Sequence, residues 1–216
     1  MNTDGISVVT TTWNEKENIE KLVPLIRDVL KGTKHEIIVV DDDSNDGTIE
    51  AAERLADTAV KISHAGQTKG LLHGMKLAKY PVIVTIDADL ENDPRYIPQL
   101  LERISDYDIV VASRVKLPRI SEKFASNTLG KKVGVKDVFS NFRAYKKQTI
   151  QHFMLKGGET FGGEYIVIAK RRGMKIGEIF YESVRRKDPR IGGRTRANLR
   201  IFWALIKSVA VYLGLW

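Results

Sequence analysis

A chain of 216 residues, 43% hydrophobic and 29% charged, has the length and balance of one sizeable globular domain. It contains no cysteine, which excludes both a disulfide framework and a thiolate metal site. A net charge of +8 points to an anionic partner such as a phosphorylated substrate, nucleic acid or an acidic membrane surface, and Met1–Gly5 carries no leader pattern, so a cytoplasmic address is expected.

Ile6 to Thr11 is apolar and β-branched and reads as a first strand; Thr12-Trp13-Asn14-Glu15 follows, then a helix from about Glu15 to Leu30. Asn14 and Glu17 have the spacing of a capping box, and Ile19, Leu22, Val23 and Ile26 recur on one helical face. Glu36 to Val40 reads as a second buried strand, closed by Asp41-Asp42-Asp43. A helix over Thr48–Leu55, a strand near Thr58–Ile62 and a helix over Leu71–Lys79, opened by Lys69-Gly70, lead to Val82–Ile86. That last run is the signature of a strand buried on both faces. It ends abruptly in Asp87 and Asp89, with Glu91 and Asp93 close behind. Residues two apart in an extended chain point the same way, so Asp87, Asp89 and Glu91 are expected to converge on one hard cation. Asp93-Pro94 fits the N-cap and first position of a helix to Ile104, and Asp108–Ala112 reads as a further strand. Such alternation predicts an α/β fold, a mostly parallel sheet with helices on both faces.

Beyond Arg114 the pattern predicts a helix over Ser121–Lys132, a strand over Val138–Lys146, helices over Gln148–Leu155 and Glu164–Arg172, and a strand over Met174–Tyr181. Arg185 to Arg200 holds six arginines and Lys187 against Asp188, either a solvated loop or an anion clamp. Ile201 to Trp216 is apolar except for Lys207 and Ser208 and too short to cross the ~30 Å hydrocarbon core of a bilayer. Arg196, Arg200 and Lys207 share one helix face, while Leu199, Phe202, Ile206, Val209 and Leu213 follow another. That pattern suits a helix in the headgroup layer; a core helix, or one docking a membrane-anchored partner subunit, competes with it.

Two strand ends thus carry carboxylates. One set can accept hydrogen bonds from a ribose and base; the other can hold Mg²⁺ or Mn²⁺ on a diphosphate, because oxygen-only ligands suit hard cations. Neither a G-x-x-x-x-G-K-[ST] nor a G-x-G-x-x-G motif occurs, which leaves P-loop and dinucleotide readings without support. A nucleic-acid partner is not expected, since the basic cluster lacks interleaved aromatics and the strand-end carboxylates would repel phosphate.

The segments Val8-Val9-Thr-Thr-Thr-Trp-Asn-Glu-Lys-Glu-Asn18, Val39-Val40-Asp-Asp-Asp-Ser-Asn-Asp-Gly47, Lys69-Gly70-Leu71, Asp87-Ala-Asp-Leu90 and Ala112-Ser-Arg114 together resemble the family-2 glycosyltransferases of the GT-A fold. The triple aspartate, Ser140-Asn-Phe-Arg-Ala-Tyr145 and Arg190-x-Gly-Gly-Arg-Thr-Arg196 resemble most the dolichol-phosphate mannosyltransferase and polyprenyl-phosphate sugar transferase branch. The resemblance implies a Rossmann-like GT-A domain over residues 1–195 and a C-terminal amphipathic helix over 196–216. It implies that Thr12, Asn14 and Glu15 edge the nucleotide pocket, with Glu15 and Asp42 on base and ribose and Lys69 and Ala88 also at the donor. Asp87, Asp89 and Glu91 would hold the metal; Arg114, Arg190 and Arg196 would bind donor or acceptor phosphates; Asp89, Arg114 and Arg190 would carry the catalysis. Glu91 stands where that branch commonly has glutamine, Asn141 where it has glycine, and Arg196 where it has lysine.

The implied reaction is inverting transfer of a hexose from GDP-mannose, or next UDP-glucose, to a polyprenyl or dolichyl phosphate at the cytoplasmic face of a membrane. The alternative is a soluble or hydroxyl acceptor, for which Asp137 or Glu164 would be base candidates by position alone.

Overall fold

The computed structural model describes residues 4–184 and 194–215. In chain order the elements are β1 (Ile6–Thr12), α1 (Lys16–Val29), β2 (His35–Asp41), α2 (Thr48–Leu55), β3 (Thr58–Lys61), α3 (Gln67–Leu77) and β4 (Val82–Thr85). A 3₁₀ turn at Pro94–Tyr96 opens α4 (Ile97–Arg103), followed by β5 (Ile109–Arg114), α5 (Ile120–Ala125), a π-helical turn (Ser126–Gly130) and α6 (Lys131–Val133). The chain closes through β6 (Arg143–Lys146), a 3₁₀ segment (Lys147–His152), α7 (Gly163–Arg171), β7 (Ile176–Tyr181) and α8 (Arg194–Leu213).

The seven strands form one sheet in the order β3-β2-β1-β4-β6-β5-β7. All pair in parallel except β6, which runs antiparallel to both β4 and β5. The central strands are apolar on both sides because both faces are covered. Ile6, Val8, Ile37, Val39 and Val84 pack under α1, α2 and α4, while Val9, Ile38, Val40, Ile83 and Val111 pack under α3, α7 and α8. α3 lies unusually close to the sheet: a Cβ at Gly74 would sit 2.5 Å from Val9 Cγ1 and 2.9 Å from Val40 Cγ2. The chain leaves β1 toward β2 on one side and returns to β4 on the other. That reversal opens a crevice beyond the carboxyl ends of β1 and β4, where open α/β sheets bind ligands.

Several expectations change. Asn14 does not cap α1; it adopts a left-handed φ of 52°, and its side-chain oxygen accepts the Asn45 N–H at 3.0 Å. α3 begins at Gln67, earlier than the glycine and lysine of that stretch led us to expect. The predicted helix over Ser121–Lys132 is interrupted by the π turn, and only Arg143–Lys146 of the predicted Val138–Lys146 strand pairs. In place of the predicted α-helix over Gln148–Leu155 there is a 3₁₀ segment, Lys147–His152, and the rest of that stretch is not helical.

The C-terminal stretch is continuous with the fold. α8 buries Ala197, Ile201, Ala204, Leu205, Ser208 and Val211 against the cluster shared with α5 and α7. Leu199, Trp203, Ile206 and Leu213 stay exposed on its outer face. Among the described residues, no helix is long and apolar enough to cross a membrane.

Candidate active site

The first wall of the crevice is built where β1 and β2 end side by side, with Thr12 paired to Asp41. The three aspartates there have separate tasks. Asp41 is buried and accepts the Ser44 N–H at 2.9 Å, closing the turn. Asp42 lines the crevice and accepts the N–H groups of Ala65 and Gly66 at 2.7 and 3.0 Å, tethering the segment that leads into α3. Asp43 points outward to Lys61 at 2.9 Å and His64 at 3.3 Å, and Lys61 holds its carboxyl below the ordinary value. Glu15 stands beside Thr12 and Trp13; its N–H donates to Thr48 Oγ1 at 3.0 Å, and its carboxylate accepts from the Asn18 amide.

The floor comes from the end of β4. The strand stops at Thr85, and the chain turns through Leu90, whose φ is 62°. Gln67 Nε2 donates to Asp87 Oδ1 at 2.6 Å, and Glu91 N–H donates to Asp89 Oδ1 at 3.0 Å. Asn92 takes the Asp87 N–H at 3.2 Å and donates to the Tyr181 hydroxyl at 2.6 Å, anchoring the turn to β7. Burial, and then the neighbouring Asp89 charge, push the Asp87 carboxyl up to about 7, with Arg114 pulling the other way.

The opposite wall is basic. Arg114 Nε donates to Asp137 at 2.6 Å, and its Nη2 reaches Glu122 at 3.3 Å. Burial works against the Arg114 charge, but those two carboxylates outweigh it and keep the guanidinium protonated. Arg119 shares Glu122 at 2.7 Å, and Arg200 of α8 sits over the Phe161 ring, 5.7 Å from its centroid. Together the walls enclose a cleft of about 340 Å³ with carboxylates on one side and guanidinium groups on the other.

This arrangement sits in a chain whose residues 7–174 match the sequence pattern of Glycosyl transferase family 2. The chain belongs to glycosyl transferase family 2. Within the family it is 37% identical over 166 residues to the dolichol-phosphate mannosyltransferase of Pyrococcus furiosus, covering 68% of this chain and 47% of that protein. It is 32% identical to the undecaprenyl-phosphate 4-deoxy-4-formamido-L-arabinose transferase of Pectobacterium atrosepticum, over 68% of this chain and 50% of the other. The matched regions thus span about half the length of these curated relatives. The glucosyl-3-phosphoglycerate synthase of Mycobacterium tuberculosis, solved with Mn²⁺, UDP and glucosyl-3-phosphoglycerate, superposes with a TM-score of 0.79. That likeness covers 97% of this chain and 80% of the synthase at 19% identity, and it is one of fold.

In this family-2 chain Thr12, Glu15, Asp42, Asp87, Ala88, Asp89, Glu91 and Arg114 all line the cleft. Asn14 stands behind the wall and braces the Ser44–Asn45 turn. Lys69 is exposed on α3, and Gln67, two positions earlier, takes the cleft side. Arg196 is exposed outside the cleft lining, whereas Arg200, one helical turn on, reaches it. Arg190 lies outside the described residues. The two base candidates are engaged elsewhere: Asp137 by Arg114, and Glu164, fully buried, by the N–H groups of Lys156 and Gly157 at 2.6 and 3.0 Å.

Among the described residues no three acidic or histidine side chains gather closely enough to hold a metal by themselves. The expected convergence of Asp87, Asp89 and Glu91 fails because the two-residue alternation stops with β4 at Thr85. Asp87 and Asp89 nevertheless fit Mg²⁺ or Mn²⁺ as a pair. Both are oxygen donors, their mutual repulsion is what a cation would relieve, and Mg²⁺ is commonly held by one or two carboxylates plus substrate phosphates. Sequence reasoning missed Gln67, Asn92, Arg119, Glu122 and Phe161 as cleft residues. Only Arg119 carried a usable signal, as a basic residue a few positions beyond the strand end at Arg114.

Proposed function

We propose that this chain transfers a hexose, with inversion, from a nucleoside diphosphate sugar to a polyprenyl phosphate, using Mg²⁺ or Mn²⁺. The reading rests on one observation above all: a carboxylate pair, Asp87 and Asp89, faces three arginines across one cleft. A donor diphosphate binds on the side of Thr12, Glu15, Asp42 and the carboxylate pair. Asp87 and Asp89 hold the cation, which when bound neutralises charge developing on the leaving diphosphate. Arg119 and Arg200 bind the acceptor phosphate, and Arg114, ion-paired with Asp137 and Glu122, braces the wall beside them. A phosphate oxygen is already anionic near neutral pH and needs no base, which agrees with the structural engagement of both Asp137 and Glu164.

GDP-mannose is the favoured donor, on the strength of the mannosyltransferase relative, with UDP-glucose second. The exposed apolar side chains of α5 and α8 beside the arginines, among them Ile120, Phe124, Leu199 and Trp203, suit a lipid acceptor at the cytoplasmic face of a membrane.

The test is transfer of labelled sugar from GDP-mannose and UDP-glucose to polyprenyl phosphate in detergent, with and without EDTA. Transfer to the lipid phosphate should require the metal, and Asp89→Ala should reduce it to below about a tenth, a barrier increase above about 1.4 kcal/mol. EDTA-resistant transfer, or a variant near wild-type rate, removes the metal. Transfer to a soluble or sugar-hydroxyl acceptor in preference removes the lipid.

A further inference from the structure

We propose that Gln67 is a positioning residue for Asp87, fixing one carboxylate oxygen so that the other faces the cation in the cleft. The proposal rests on the metal reading above and goes beyond it to a side chain outside the acidic motif.

Gln67 is held firmly in place. It stands at the first position of α3, half-buried and on the cleft wall. The two residues before it are tethered by Asp42 through the N–H groups of Ala65 and Gly66. The residue after it, Thr68, is fully buried. Its N–H donates to Glu159 at 3.1 Å, its hydroxyl donates to the same carboxylate, and its carbonyl accepts from the Tyr165 hydroxyl. A side chain between two such anchors is delivered from a rigid frame, which is what precise placement of a ligand requires.

Asp87 needs that help. Its own backbone has left β4, so no strand ladder orients it, and its N–H is occupied by Asn92. Gln67 Nε2 takes Oδ1 at 2.6 Å, and among the described residues no hydrogen bond reaches Oδ2. The chemistry of the donor matters as much as its reach. A lysine or arginine here would cancel the charge the cation needs, as Arg114 does for Asp137 across the cleft. A neutral amide orients the carboxylate and leaves the charge intact. Partners of this kind, one bond behind the metal, typically change metal affinity by about 10–100-fold when removed.

The test measures Mn²⁺ binding directly, by calorimetry or electron paramagnetic resonance on the full chain with GDP or UDP present, beside thermal melting. Gln67→Met keeps the length and loses the N–H; Gln67→Asn keeps the amide one carbon short of Asp87. Both variants should weaken Mn²⁺ about tenfold or more, while melting within about 2 °C of wild type. Mn²⁺ affinity within twofold of wild type in both overturns the role of Gln67 alone. Affinity that falls only in step with the melting temperature makes the residue structural and overturns it equally. If the wild-type chain takes up no Mn²⁺ with either nucleotide, the metal reading itself fails.

Discussion

Asp87 is half-buried beside Asp89, and in the free protein its ionised form is a cost. Its folded carboxyl titrates at about 7 against an ordinary 3.8, so the fold holds a proton that the unfolded chain releases. Below about pH 4 both states are protonated and there is no penalty. Stability is then lost as the pH rises toward 7, and the full cost is present above it. Asp87→Asn removes that charge and should raise stability at pH 8 in EDTA by about 1–2 kcal/mol, read from thermal or urea unfolding. The gain should vanish near pH 4. An equal effect at both pH values would mean that lost side-chain contacts, and not repulsion, set the difference. At this scale the sequence was legible where chemistry follows residue type: carboxylates and arginines near strand ends declared themselves. Gln67 and Asn92 did not, because a neutral amide has no pattern of its own and matters only through the carboxylate or hydroxyl it happens to face.

At the scale of elements, α3 shows how tightly the cleft is tied to the core. Gly74 faces Val9 and Val40, and a methyl group there meets their side chains at 2.5 and 2.9 Å. Alanine favours a helix over glycine by ~1 kcal/mol, but forcing a methyl into a packed, β-branched surface costs ~1–3 kcal/mol. Overpacking should win, so Gly74→Ala is expected to destabilise the chain in urea titrations. A stabilised variant would show that α3 can move away from the sheet without loss. Elements in the first half were readable because long apolar runs and turn residues alternate there; Thr48–Leu55 was placed to the residue. The second half was harder. β6 opens on Arg143, which is fully buried and donates to the carbonyls of Val138 and Gly162 at 2.8 Å each. A charged residue satisfied by main-chain oxygens defeats any reading that equates burial with apolarity, and the buried loop before it imitates a strand.

Over the whole molecule, the fold class was open to the sequence, while the role of the last helix was not. Its apolar residues run nearly all round, and the sequence alone does not say which of them meet the core. The structure divides them: Ile201, Ala204, Leu205 and Val211 inward, Leu199, Trp203, Ile206 and Leu213 outward. Removing 201–216 would therefore strip the core. The informative change is a triple substitution on the outer face, Leu199→Ser, Trp203→Ser and Ile206→Ser. It should abolish sedimentation with anionic liposomes while leaving the melting temperature and nucleotide affinity nearly unchanged. Sedimentation equal to wild type would assign the outer face to a protein partner or to neither.

The reversed direction of β6 has its own consequence. β5 ends at the cleft and β6 begins there, with Val111 opposite Arg143 and the Ala112 N–H bonded to the Phe142 carbonyl. Everything between Arg114 and Arg143 is thus an excursion that leaves and re-enters the sheet at neighbouring points on one rim. Lengthening a closed excursion of this kind costs little, about 0.6 kcal/mol for each doubling. The carboxylate wall, by contrast, hangs from β1, β2 and β4, which all run the same way and are joined through helices packed on the sheet. The wall that carries Arg114 and Arg119 is in this sense an exchangeable cassette, able to grow, shrink or change its lining while the half that carries Asp42, Asp87 and Asp89 stays as it is.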